Sequence, residues 1–238
     1  NYAWAYANRG DAWRKKSEYD KALADCTEAV LLDPQFAWAY NIRGLIHAEK
    51  GDLDRAIADH TESIRLDPTY AWAYACRGDA WRRRGDLEEA IADYTESVRL
   101  DPQYAWAFKS RGMARAQNKD RDAATRDFHE ALRLAPQDPA LCNEIAWFLA
   151  TCPEADVRNG ELAVQFAATA VELRRDADSL DTLAAAYAEN GEFDKAVDTE
   201  TQALEEAAKA DASFDPTEYR DRLKLYQQNM PYRQKNVP

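Results

Sequence analysis

A chain of 238 residues, 46% hydrophobic with few glycines and prolines, carries enough apolar material for a substantial core, so it is not a disordered tail. Its formal charge of −12 argues against a nucleic-acid partner, because an acidic surface repels the phosphate backbone. The charge is uneven: residues 1–138 hold 21 basic and 24 acidic side chains, and residues 139–238 hold 10 and 19.

From the start of the chain, "AWAY" occurs at 3–6, 37–40 and 71–74 and returns as "AWAF" at 105–108, each start 34 residues after the last. This divides 1–138 into four regular units, 3–36, 37–70, 71–104 and 105–138, kept in phase by Gly10, Gly44, Gly78 and Gly112, by Ala22, Ala56, Ala90 and Ala124, and by Pro34, Pro68, Pro102 and Pro136. In the second unit the spacing predicts a helix over 37–50, a left-handed stop at Gly51, an N-cap at Asp52 and a second helix to about Leu66, ended by Asp67-Pro68. Asp86 followed by Glu89 predicts a capping box in the third unit. Each unit is a helix hairpin. Asn1-Tyr2 aligns with Thr69-Tyr70, so the chain is expected to start in mid-pattern, as a fragment.

A fifth, irregular unit follows at 139–176, with a helix in "ALCNEIAWFLA", an enlarged hairpin loop in "TCPEADVRNG" and a second helix over 161–173. A sixth unit, 177–210, restores the pattern with Gly191 between its helices. The stretch 211–238 supplies a capping helix over about 215–229 and a tail, the helix covering the last open repeat face.

Charge recurs in the same phase. Arg9, Arg43, Arg77 and Arg111 stand on first helices, and Asp25, Asp59, Asp93 and Asp127 stand sixteen residues later on second helices. Arg43 and Asp59 are each eight residues from Gly51, which puts both roughly 12 Å from the turn of an antiparallel hairpin. In the sixth unit the same places hold Leu183 and Thr199, and in the fifth Ile145 and Phe166, so both charges are present or absent together. A bidentate structural pair inside each hairpin explains that pattern.

Candidates for chemistry are sparse. His60 and Cys26 share the phase of Tyr94 and Phe128, and His47 that of Trp13 and Trp81, which marks packing sites; His129 lies on a polar face. Cys26, Cys76, Cys142 and Cys152 lack zinc or disulfide spacing and read as buried free thiols, pointing to a reducing, cytoplasmic compartment. No apolar run reaches the length of about 20 residues that crosses a bilayer. No catalytic residue, metal or cofactor is expected.

The small, aromatic and proline markers Gly44, Ala56, Ser63, Pro68 and Tyr40 resemble those of the tetratricopeptide repeat, and the ending from "AWFLATCP" through "LDTLAAAYAE" to "PYR" is similar to the terminal module of bacterial proteins of that family. The resemblance implies an all-α, right-handed superhelical solenoid of hairpins and a non-catalytic scaffold holding a protein or peptide on the concave face of the first helices. It places Trp4, Trp38, Trp72 and Trp106 on or beside that face, with Asn41 and Lys109 one turn later. Arg14 and Arg82, in basic clusters near helix ends, are further candidates to hold an acidic segment. A tryptophan ladder suits an extended peptide; wedging between adjacent first helices is the other reading of the same residues. The carboxylate clamp of chaperone-binding repeats is not expected, since its places hold Ala7, Asp11, Ile42, Trp72 and Cys76. Two alternatives stay open: self-assembly by end-to-end stacking, giving a homo-oligomer, and an accessory domain of a larger enzyme.

Overall fold

The structure, a computed structural model, describes residues 2–210 and 214–234; Asn1 and parts of the expected cap and tail, 211–213 and 235–238, lie outside the described residues. Its regular elements are helices that pair through short turns: α1 (Tyr2–Arg14) with α2 (Tyr19–Leu32), α3 (Ala37–Glu49) with α4 (Leu53–Leu66), and α5 (Ala71–Arg84) with α6 (Leu87–Leu100). Then come α7 (Ala105–Gln117), α8 (Arg121–Leu134), α9 (Pro139–Thr151), α10 (Gly160–Leu173), α11 (Ala177–Glu189), α12 (Phe193–Ala210) and α13 (Thr217–Gln227). The chain forms two compact units, Asn1–Ala114 and Arg115–Pro238.

Local chemistry sets the helix limits. Gly51 and Gly85 end α3 and α5 in the left-handed region, at φ +83° and +97°, where a side chain would be strained. Asp52 caps α4 by accepting from the Arg55 backbone N–H, and Asp120 does the same for Ala123 at the start of α8. The capping box expected at Asp86 and Glu89 is not formed, because the Asp86 carboxylate is taken by the guanidinium of Arg84. A capping box does form at Asp176 and Ser179 on α11.

In the first unit the hairpins close tightly where Gly44 and Gly78 face the rings of His60 and Tyr94; a Cβ on Gly44 would stand 2.7 Å from the imidazole. On the same helices Arg43 donates to Asp59 through Nε at 2.8 Å and Nη2 at 2.7 Å, and Arg77 to Asp93 through both nitrogens at 2.7 Å. Arg9 grips Asp25 in the same bidentate way, at 2.6 and 2.7 Å, but its side chain stays 59% exposed. Each guanidinium also lies over the ring three residues before it, Tyr6, Tyr40 or Tyr74. Arg77 adds a bond to Thr61 of the preceding hairpin, which ties one hairpin to the next.

Arg111 belongs to the first unit and Asp127 to the second. Arg111 lies over Phe108 and reaches Thr95 Oγ1, while Asp127 accepts from Arg115 at 2.8 Å.

In the second unit α9 and α10 are joined by the ordered loop 152–159. Val157 is buried in it, Arg158 donates to the carbonyls of Cys152 and Pro153, and Arg121 reaches the carbonyls of Ala155 and Asp156. Ile145, Phe166 and Leu183 are buried apolar residues. Helix α13 packs along α12, with Tyr219 against Leu180 and Ala203.

Candidate functional site

The four tryptophans of the repeated "AW" do not share one environment. Trp38 is half-buried against Ala7, Ala29 and Cys26 of the preceding hairpin, Trp72 joins the core around Ile42 and Ile46, and Trp106 packs edge-on to Tyr94 at 6.3 Å. Trp4, at the same phase of the first hairpin, is 60% exposed. The ring that precedes each inner tryptophan by two residues completes a pair: Phe36 with Trp38 at 5.8 Å, Tyr70 with Trp72 at 6.0 Å, Tyr104 with Trp106 at 5.9 Å. Between two of these pairs an open cleft of about 320 Å³ is lined by Ala71, Trp72, Asp101 and Tyr104.

Burial of this kind sets an energetic expectation. Trp38→Ala should cost about 2–3 kcal/mol, less than a fully buried tryptophan because one edge stays in water, while Trp4→Ala should change stability by under about 0.5 kcal/mol. Urea melts of the two variants check this; equal losses would mean that contact with the preceding hairpin is not what the inner tryptophans contribute.

The polar residues placed beside the ladder lie elsewhere. Asn41 is wholly buried, with Oδ1 2.7 Å from His60 Nδ1 and its amide 3.9 Å from Cys76 Sγ, so it is a core residue and not a groove residue. Lys109 is buried too, its ammonium 5.5 Å from the Trp106 ring centre. Arg14 is engaged by Asp11 and by Glu49 of the next hairpin, and Arg82, with a side chain only 10% exposed, by Asp79 at 3.0 Å. Neither is offered to an acidic ligand. The spacing of Asp11 and Asp79, three residues before Arg14 and Arg82, is the signal that marks both arginines as paired on their own helices.

His60 has a consequence of its own. Burial, then Arg77, then His47 lower its pKa from 6.5 to about 3. The folded chain therefore refuses a proton that the unfolded chain accepts below 6.5, so this contribution is intact above that pH and is lost as pH falls toward 3. Between pH 7 and 5 it removes about 2 kcal/mol. The double variant Asn41→Ala, His60→Tyr, which copies Ala75 and Tyr94 of the next hairpin, should flatten that part of the acid response in melts at the two pH values. An unchanged pH dependence would count against a neutral buried imidazole. The Cys26 and Cys152 thiols are likewise buried, with pKa values raised to about 12 chiefly by desolvation.

The second unit holds two features that pattern reading missed. On α11 and α12, Asp181 and Glu200 occupy the phases of Asn41 and His60, and both are buried; Arg222 of α13 enters from the other side, Nε 2.6 Å from Asp181 and 3.8 Å from Glu200. Burial, then the Asp181 charge, push the Glu200 pKa well up, so Glu200 keeps its proton while Asp181 pairs with the arginine. The guanidinium is boxed by Trp147, Tyr219 and Tyr232. Beyond α13 the chain turns at Asn229, φ +56°, and residues 231–234 run back across α9 and α11. There the Tyr232 ring meets Trp147 at 5.7 Å, Arg233 pairs with Glu189 at 2.6 Å, and the Gln234 N–H donates to the Thr151 carbonyl at 2.9 Å. Among the described residues no group of three or more acidic, histidine or cysteine side chains is arranged to hold a metal, and no helix is long and apolar enough to cross a membrane.

No curated protein sequence matches the chain. Solved structures do: PilF of Pseudomonas aeruginosa at 19% identity and TM-score 0.67, covering 92% of this chain and 96% of that one. The APC/C assembly Cut9–Hcn1 matches at 18% and 0.71, over 94% of this chain and 42% of that one, and MamA at 20% and 0.52, over 90% and 97%. At such identities the likeness concerns the fold, an all-α solenoid of hairpins. Sequence models of the tetratricopeptide repeat match residues 3–36 and 39–70, and a further TPR repeat model matches 78–119. Repeats recognised at the phase that the hairpins themselves display show that residues 3–36, 39–70 and 78–119 of this chain are tetratricopeptide repeats.

Proposed function

We propose that the chain is a non-catalytic scaffold that takes an extended segment of a partner protein along its first helices. Tetratricopeptide repeats are protein–protein interaction modules, and the observation that carries the finer reading is the open cleft between Trp72 and Tyr104, where two half-exposed rings and the Asp101 carboxylate face solvent together. Rings with one free edge suit apolar or proline-containing segments, which give up little conformational freedom on binding. Panning a displayed peptide library against the full chain tests this. Enriched peptides should bind at least about tenfold more weakly to the variant Tyr104→Leu, Asp101→Lys, a difference of about 1.4 kcal/mol. Failure to enrich any sequence, or enrichment of peptides indifferent to that variant, would contradict the reading.

A second reading, self-association, is favoured by one observation. Leu31 is 69% exposed at the phase where Arg65, Arg99 and Arg133 pair with Glu62, Glu96 and Glu130, and Tyr2, Trp4 and Leu32 are exposed on the same hairpin. If the patch joins copies, light scattering across a concentration series shows a mass increase that Leu31→Arg suppresses; a constant monomer mass excludes it.

A further inference from the structure

The second unit carries an anchored helix followed by a loosely held tail, and the two differ in how their contacts are built. Helix α13 is fixed by a buried arginine between buried acids. After Asn229 the hold is shallower: residues 231–234 are half-buried, and they are kept in place by the contacts of the Tyr232 ring with Trp147 and with the Arg222 guanidinium, an ion pair and a backbone hydrogen bond. Departure of the tail also leaves no stranded charge. Glu189 stays paired with Arg158, whose Nε is 2.9 Å away, and Arg222 keeps Asp181 together with the faces of Trp147 and Tyr219. A contact that can be lost without orphaning a buried group is a reversible one.

The face beneath is covered by a stretch of chain without helical structure. Trp147 and Thr151 of α9 and Glu189 of α11 are all on first helices, and they offer in order an aromatic surface, a carbonyl acceptor and a carboxylate. We propose that this face is a binding site for an extended peptide bearing an aromatic residue followed by a basic one, and that Tyr232 and Arg233 fill it in cis, so that a partner segment binds by displacing the tail. The proposal rests on the reading that first helices carry the binding face, and it adds the chemistry of the partner and a means of control. Because the tail is tethered directly behind α13, its effective concentration is on the order of millimolar, and a tail whose own contacts have an intrinsic Kd of about 0.1 mM holds a competing peptide off roughly tenfold.

The test uses the full chain and a fluorescent, capped peptide of residues 229–234 as probe, followed by anisotropy. The variant Tyr232→Ala, Arg233→Ala should bind the probe at least about tenfold more tightly than the wild type, and adding Glu189→Gln should return binding to the wild-type level. A probe whose arginine is exchanged for glutamate should bind neither. Circular dichroism establishes that the variants are folded; should the double variant lose helix, Arg233→Glu alone, which opens the face by repulsion from Glu189, takes its place with the same expectation. Equal probe binding by the wild type and a folded opened variant, or binding indifferent to Glu189→Gln, overturns the proposal. If peptides from the library bind at Trp72 and Tyr104 while the tail probe binds nowhere, the scaffold reading stands and this inference falls.

Discussion

Replacing Arg222 with methionine is expected to destabilise the second unit by about 3–5 kcal/mol at pH 7. The residue is itself buried and stands between two buried carboxyl groups, Asp181 at 2.6 Å and Glu200 at 3.8 Å. Methionine keeps much of the volume among Trp147, Tyr219 and Tyr232 and removes only the charge. What remains is an uncompensated Asp181 beside a Glu200 that already holds a proton. Burial already holds the folded-state pKa of Asp181 above its unfolded value, and loss of the arginine's charge raises it further, so the folded variant binds a proton that the unfolded chain releases and loses stability as pH rises through that interval. The deficit relative to wild type is therefore expected to be greatest at neutral pH and to shrink toward pH 4. Urea melts at pH 7 and pH 4 check both statements. A variant within about 1 kcal/mol of wild type at pH 7 would show that water reaches Asp181.

The second large effect is expected at the hairpin pairs. Asp93→Ala should cost about 2–4 kcal/mol, because Arg77, 19% exposed at its side chain, keeps only Thr61 and the Tyr74 face as partners. The double variant Arg77→Leu, Asp93→Thr, which copies Leu183 and Thr199 of α11 and α12, should recover most of the loss. A double-mutant cycle reads the difference as a coupling energy; additive losses would mean that the 2.7 Å contacts contribute nothing as a pair. Asp25→Ala is expected to cost less than Asp93→Ala, since water solvates the exposed Arg9 when its partner is removed.

How much of this was legible in the sequence differs from residue to residue. Hairpin phase was open to reading because four units repeat glycine, alanine and proline at identical offsets, and helix packing demands small residues at such offsets. Arg9 and Asp25, Arg43 and Asp59, and Arg77 and Asp93 announced their pairing because the two residue types occur together or not at all along the repeats. Asn41 was misplaced because its phase holds Ala7, Asn41, Ala75, Lys109 and Asp181, a variety that looks like a solvent position. Its meaning lies in the partner phase, where polar faces polar in Asn41–His60 and in Asp181–Glu200. Arg14 and Arg82 were read as free cations because a cluster of like charges draws the eye from the carboxylate three residues earlier. The tail was beyond periodicity altogether. Residues 231–234 carry no helical pattern, and they meet Trp147 and Glu189 at separations of over 40 residues, so only the folded chain brings them together.

The central claim is that first helices carry the binding face, and amide hydrogen exchange with and without a bound peptide from the library tests it most directly. With wild type and peptide in excess, added protection is expected in the first turns of α5 and α7 and in the turn before α7, with α4 and α6 unchanged. Protection concentrated on second helices, or none at a peptide concentration that saturates binding, would contradict the account.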